Sequence, residues 1–190
     1  SSNKRIAELK REGKMKIVTV GAVESGKMHF VAYLGGSPYQ DAMSVILLTF
    51  DYQTEYKGKD IFIKLWDTSG NIDFERLRPL SYSNADACLV FFSIFSPESF
   101  ENARNKWIPE AKHYCPDVPA IFVGSNYKSW SKKSDGLQPI PKVMIEELKR
   151  DTGAAGYFEF DVSDENSAKK VIEDMWDICL LQDSNDCIVI

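Results

Sequence analysis

Seven residues near the start of the chain, Gly21 to Lys27 (GAVESGK), carry the spacing GxxxxGK. That spacing lets backbone N–H groups wrap around phosphate oxygens while a lysine reaches the terminal phosphates. Gly21, Glu24, Ser25 and Gly26 would form the cradle and Lys27 its charged arm. The next position of such a loop calls for a Ser or Thr hydroxyl that holds Mg²⁺, and here it is Met28. A thioether is a poor ligand for a hard cation. Glu24 sets a carboxylate where phosphate charge would sit, and Coulomb repulsion opposes binding unless that side chain turns away.

A phosphate loop works only between a strand and a helix. KIVTVG (Lys16 to Gly21) is a short β-branched run stopped by glycine, which predicts a buried strand, and a helical segment follows to about Leu34. LLTFDYQTEY and IFIKLWD read as two strands joined around Lys57-Gly58-Lys59, a hairpin. ACLVFFSI (Ala87 to Ile94) and AIFVGS (Ala120 to Ser125) are continuous apolar runs of the central parallel kind. Ser96, Pro97 and Glu98 signal a helix start. A further helix begins near Pro141 and stops before Gly153. In the last helix Ala168, Val171, Ile172, Met175, Trp176, Cys179 and Leu180 form one apolar face. Strands alternating with helices imply an α/β sheet covered on both faces, and the single hairpin implies one antiparallel edge. Ligands of such sheets bind at the carboxyl ends of the strands.

Leu65 to Tyr82 (LWDTSGNIDFERLRPLSY) resembles the third motif and switch II of Rho-family small GTPases, and Phe92 to Ser125 continues the likeness. The resemblance spans about residues 15 to 190. It implies a small GTPase-like P-loop fold with a six-stranded, mostly parallel sheet, one antiparallel edge strand and helices on both faces. It divides the chain into a charged N-terminal extension (1–14), the G domain (15–181) and a tail (182–190). It also implies a GTP/GDP switch with Mg²⁺, engaging Rho-type effectors or regulators through its switch regions, Arg76 to Pro79 among them.

Taken residue by residue, the resemblance matches Gly21, Gly26 and Lys27 to the phosphate loop, and Asp67 and Gly70 to the DxxG that organises Mg²⁺ and senses the γ-phosphate. The other positions depart. Val23 replaces the second loop glycine, where a side chain crowds the γ-phosphate and an incoming arginine finger. Asn71 replaces the glutamine that orients water and is one methylene shorter. The Mg²⁺-binding threonine of switch I falls on Val45 or Ile46, neither with an oxygen; Ser44 and Thr49 could substitute only through a shifted loop. The base-reading motif becomes Ser125-Asn126-Tyr127-Lys128, so Lys128 donates where an aspartate would accept from guanine. The last motif aligns with Asp161-Val162-Ser163. These departures predict a pseudoGTPase with weak or absent binding of GTP, GDP and Mg²⁺ and no confident catalytic residue. The other readings are a slowly hydrolysing GTP switch and a P-loop protein of altered base preference.

Cys187-Ile188-Val189-Ile190 fits the C-a-a-X signal, and a bulky apolar last residue favours geranylgeranyl on Cys187. A cytoplasmic, lipid-anchored, membrane-associated location is therefore expected. One lipid anchors marginally, and the acidic segment 182–186 supplies no basic second signal. Basic residues such as Lys4, Arg5, Lys10 and Arg11 either meet anionic lipid or lie on a solvated helix. Cys179 is either acylated or packed in the core. Trp130 either covers the base site, binds a partner or packs in its loop. The bulk composition suits one globular domain: 190 residues, 44% hydrophobic, 27% charged. A net charge of -5 gives no reason to expect nucleic acid. Four scattered cysteines without CxxC spacing read as reduced thiols.

Overall fold

The two longest apolar runs become the middle of a sheet because only strands flanked on both sides can bury every residue. β4 (Ala87–Ser93) and β5 (Ala120–Ser125) are buried along their whole length. Around them lie β1 (Lys14–Gly21), β2 (Leu47–Tyr56), β3 (Lys59–Thr68) and β6 (Gly156–Phe160), in the order β2-β3-β1-β4-β5-β6. All neighbours pair in parallel except β2 and β3, the antiparallel edge. The structure, a computed structural model, describes residues 2–35, 47–129 and 136–181. The hairpin closes on Lys57 (φ 53°) and Gly58 (φ 74°), the double left-handed turn that matches strand twist.

Side chains alternate across each strand and so feed two cores. On one face Ile17, Ile63, Leu65, Leu89, Phe91 and Val123 meet α2 (Lys27–Gly35) and α6 (Glu165–Leu181). On the other, Val18, Val20, Val90, Phe92 and Phe122 meet α3 (Pro97–Asn102), α4 (Ile108–Tyr114) and α5 (Lys142–Thr152). α3 starts as its sequence predicts: Ser96 Oγ accepts from the Ser99 N–H at 3.2 Å, and Pro97 opens the helix. A π-helical stretch, Ala103–Trp107, joins α3 to α4 just before Pro109, whose ring and missing N–H cannot continue a regular turn.

α1 (Ser2–Glu12) lies on the body of the protein, with Ile6 and Leu9 buried. Arg5 donates to both oxygens of Asp86 at 2.7 and 2.8 Å, and Asp86 Oδ2 also accepts from the Lys16 N–H. The Asp86 hydrogen bond raises the Arg5 pKa against the opposing effect of burial. Cys179 lies in the core, and burial pushes its thiol up to about 12. Among the described residues no helix is long and apolar enough to cross a membrane.

Candidate functional site

Gly21 ends β1, a 3-10 turn spans Val23–Ser25, and Lys27 begins α2, so the phosphate-loop spacing sits between a strand and a helix as its chemistry requires. The Ser25 N–H donates to Ala22 O at 3.1 Å and closes the turn. Gly26 follows at φ 81°, a left-handed position that favours glycine. A side chain there would also strike Ser125 Oγ. That approach is functional geometry: Ser125 Oγ donates to Ser25 O at 2.6 Å, tying the end of β5 to the phosphate loop.

Lys27 points inward. It is 6% exposed, and its Nζ donates to Asp67 Oδ1 at 2.5 Å and Thr68 O at 2.9 Å. Asp67 Oδ1 also accepts from Thr19 Oγ1 at 2.7 Å, and Thr68 Oγ1 returns a bond to Thr19 O. Adjacent strands β1 and β3 bring these residues together: Thr19 and Asp67 are register partners. Gly70 backs onto the phosphate loop so closely that a side chain there would meet Gly21 O.

The altered positions have other contacts. Val23 is exposed on the crest of the loop. Glu24 reaches Ser129 of the base loop, whose Oγ donates to its Oε1 at 3.0 Å. Asn71 caps the next turn: its Oδ1 accepts from the Asp73 N–H at 3.0 Å, an Asx turn, and its own N–H donates to Ser69 Oγ. Thr49 lies in β2 opposite Trp66. The other switch I candidates, Ser44, Val45 and Ile46, lie outside the described residues, as do Trp130 and Cys187.

The base loop is internally paired. Asn126 donates to Asp161 Oδ1 at 3.0 Å and accepts from the Val162 N–H at 2.9 Å. The Val162 carbonyl accepts from Tyr33 Oη at 2.7 Å, so both backbone polar groups of Val162 are bonded within the protein. Hydrogen bonds from Ser163 and Asn126 hold the Asp161 carboxyl below its usual range. Ser93 Oγ donates to Tyr127 O at 2.5 Å, and the Tyr127 ring lies 5.4 Å from His29. Burial lowers the pKa of His29. Lys128 Nζ sits 4.4 Å above the Phe95 ring, a cation–π contact.

Switch II is pinned by residues whose pairing the sequence did not reveal. Arg78 is buried and donates to both oxygens of Glu110 at 2.7 and 2.8 Å, while Tyr82 Oη donates to Glu110 at 3.1 Å. The guanidinium stacks on Trp107 at 4.6 Å. Burial works against the Arg78 charge, and the Glu110 bonds outweigh it, so its pKa rises. Leu77 and Leu80 flank the pinned arginine with exposed side chains. Thr19, Phe95 and Ser129 are also absent from the motifs, and no local sequence signal marks them.

The described residues do not make a good Mg²⁺ site. Met28 offers sulfur, and Asp67 Oδ1 already receives an ammonium and a hydroxyl. A model of the Ras family matches residues 16–180. Domains of that family in general bind GTP or GDP with Mg²⁺ and engage effectors and regulators. The phosphate loop after β1, the DxxG after β3, the six-stranded sheet and this match agree, and the chain belongs to the Ras family of small GTPases.

Proposed function

We propose that this chain is a Rho-like pseudoGTPase, a signalling module that presents a fixed switch surface to partners and binds or hydrolyses GTP poorly or not at all. The observation that carries the reading is Lys128, which aligns with the family's guanine-reading carboxylate and holds its Nζ over the Phe95 ring. A lysine can only donate, and it would face the donors of guanine. Losing two charge-assisted hydrogen bonds to the base weakens binding by about 3–5 kcal/mol. The Asx turn of Asn71, which engages its side-chain oxygen at the Asp73 N–H, supports the same reading. Partners would be effectors or regulators of the Rho type, meeting the pinned switch II segment in a cytoskeletal or polarity pathway. The proposal includes attachment to the cytoplasmic face of a membrane by geranylgeranylation of Cys187 in the Cys187-Ile188-Val189-Ile190 sequence. A Cys187→Ser variant should then leave the membrane fraction of expressing cells, and an unchanged distribution would remove the anchor.

The main test is nucleotide content. Protein purified from cells is denatured, and released nucleotide is separated by chromatography. The proposal expects no stoichiometric guanine nucleotide and no rise in melting temperature with GTP or GDP. Turnover comparable to ordinary Rho proteins would overturn it. One observation favours a second reading, a GTP-binding switch with slow hydrolysis: the phosphate loop keeps its left-handed Gly26 and its tie to Ser125. Stoichiometric GTP or GDP in the purified protein would select that reading.

A further inference from the structure

Alternation along three neighbouring strands gathers lysines on one face of the sheet. Lys14 and Lys16 stand at the start of β1, whose other end carries the phosphate loop. Lys16 is the register partner of Lys64 on β3, and Lys14 that of Phe62. Asp51 and Gln53 continue the same two rows on β2. Together with Arg5 of α1 they line a cleft of about 640 Å³, within the size range of small-ligand sites. Arg5, Lys14, Lys16 and Lys64 face one carboxylate there, that of Asp51. Like charges set opposite each other on adjacent strands destabilise a sheet, and Lys16 and Lys64 are so placed. The cations are unequally satisfied. Arg5 is held by Asp86, and Lys64 meets Asp51 at 3.0 Å, an exposed pair that solvent screening leaves weak. Lys16 Nζ has the Ser83 carbonyl at 2.6 Å and the Trp66 ring at 3.8 Å. Burial lowers its pKa against the opposing pull of Asp86. Lys14 is exposed and carries no ion pair among the described residues.

We propose that this cleft binds the phosphorylated headgroup of an anionic membrane lipid, with Lys14, Lys16 and Lys64 on its phosphates. A clustered anion relieves the repulsion between Lys16 and Lys64 and gives Lys14 a partner. Phe62, 40% exposed between them on β3, offers an apolar surface to the C–H face of a sugar-like ring. The place of the cleft favours a lipid as the source. Cys179, in the last turn of α6, lies with its Sγ 4.0 Å from Asp86 O, and Asp86 holds Arg5 at the wall of the cleft. From Leu181, where α6 ends, the chain to Cys187 extends at most about 20 Å, so a lipid on Cys187 and a headgroup in the cleft can belong to one membrane. A single lipid chain anchors marginally, and the acidic segment 182–186 adds no basic signal. The folded cleft supplies it from β1 and β3 instead. The choice of a lipid rests on the anchor proposed for Cys187, whereas the cleft and its charges stand without it.

The test uses the full chain made without its lipid, so that Cys187 contributes nothing. Sedimentation is measured with phosphatidylcholine vesicles carrying a phosphatidylinositol bisphosphate, with vesicles carrying phosphatidylserine at equal charge, and with phosphatidylcholine alone. The expected result is binding to the first about tenfold or more tighter than to the second, and none to the third. Lys14→Gln/Lys64→Gln should weaken that binding about tenfold or more. Gln53→Glu, which adds a carboxylate and removes no lysine, should weaken it as well. Lys112→Gln/Lys142→Gln, on α4 and α5, makes the same change in net charge as the first variant and should leave binding as it is. Equal binding to the two anionic vesicles, or an equal loss in the α4/α5 variant, overturns the proposal in favour of diffuse charge. Binding of soluble inositol trisphosphate or of an aspartate-rich peptide without binding to vesicles overturns it in favour of a free phosphate or a protein partner. The readings fail separately. A chain that ignores these vesicles removes the headgroup site, and leaves the anchor to the Cys187→Ser fractionation and the pseudoGTPase to its nucleotide content.

Discussion

Gly26 shows how much of this site is set by single residues. Its φ of 81° and its approach to Ser125 let β5 clamp the phosphate loop through Ser25 O. Alanine at this position would pay a left-handed penalty of about 1–2 kcal/mol and push into Ser125 as well. Gly26→Ala should therefore lose about 2–4 kcal/mol in urea unfolding, whether or not a nucleotide is ever bound. A neutral effect would mean that the loop relaxes away from β5. At this scale the sequence was legible where spacing carries meaning: Met28, Lys128 and Asn71 are visible because GxxxxGK, the base motif and DxxG fix their positions. Where their neighbours' side chains go was not legible. Lys128 finds Phe95 and Glu24 finds Ser129 across long sequence separations, which only the packed sheet brings together.

Elements decide whether the switch surface moves. Switch II is held from inside by Arg78, bonded to Glu110 on α4 and stacked on Trp107 of the π-helical stretch. Glu110→Ala would leave the buried Arg78 charge with only the Ser69 carbonyl at 3.4 Å and the Glu75 carboxylate at 3.8 Å, and should cost about 3 kcal/mol in stability. An Arg78→Met/Glu110→Met double variant should recover much of that loss, because it removes both charges together. Recovery in the double variant, read by denaturant midpoint, separates a paired charge from simple packing. The loop between β6 and α6 gives an electrostatic counterpart. The Asp161 pKa is depressed in the folded state, so its contribution is present above the ordinary aspartate value of about 4 and is lost as pH falls through the lower folded value. Hydrogen exchange at the Val162 amide, bonded to Asn126, should stay slow down to about pH 4 and quicken relative to its neighbours only below it. Asp161→Asn should remove that acid step. The hairpin was legible because Lys57-Gly58 suits one turn, whereas β6 is a five-residue strand and entered only through family resemblance.

On the scale of the whole molecule, the first helix ties the two ends of the domain into one folding unit. Leu9 joins the core that α6 and the sheet share, and Arg5 reaches Asp86, at the entry to β4, whose carboxylate also receives the Lys16 N–H of β1. The sequence displays the charges of residues 3–14 and hides this, because two apolar residues, Ile6 and Leu9, are enough for one helix face yet too few to set up a visible period. Each such side chain, fully buried, stabilises by about 1.5–3 kcal/mol, an upper bound on the area scale. A chain starting at Lys14 would expose the α6 surface under Leu9 and leave Asp86 without its guanidinium. It should lose about 3–6 kcal/mol in unfolding free energy, enough to remove much of a small domain's margin. Arg5→Ala alone should lose less, since Arg5 is partly exposed and its ion pair is screened by solvent. A truncated chain with an unchanged denaturation midpoint would make α1 a detachable extension. The expected loss would instead make it part of the scaffold that holds a pinned switch face in one shape.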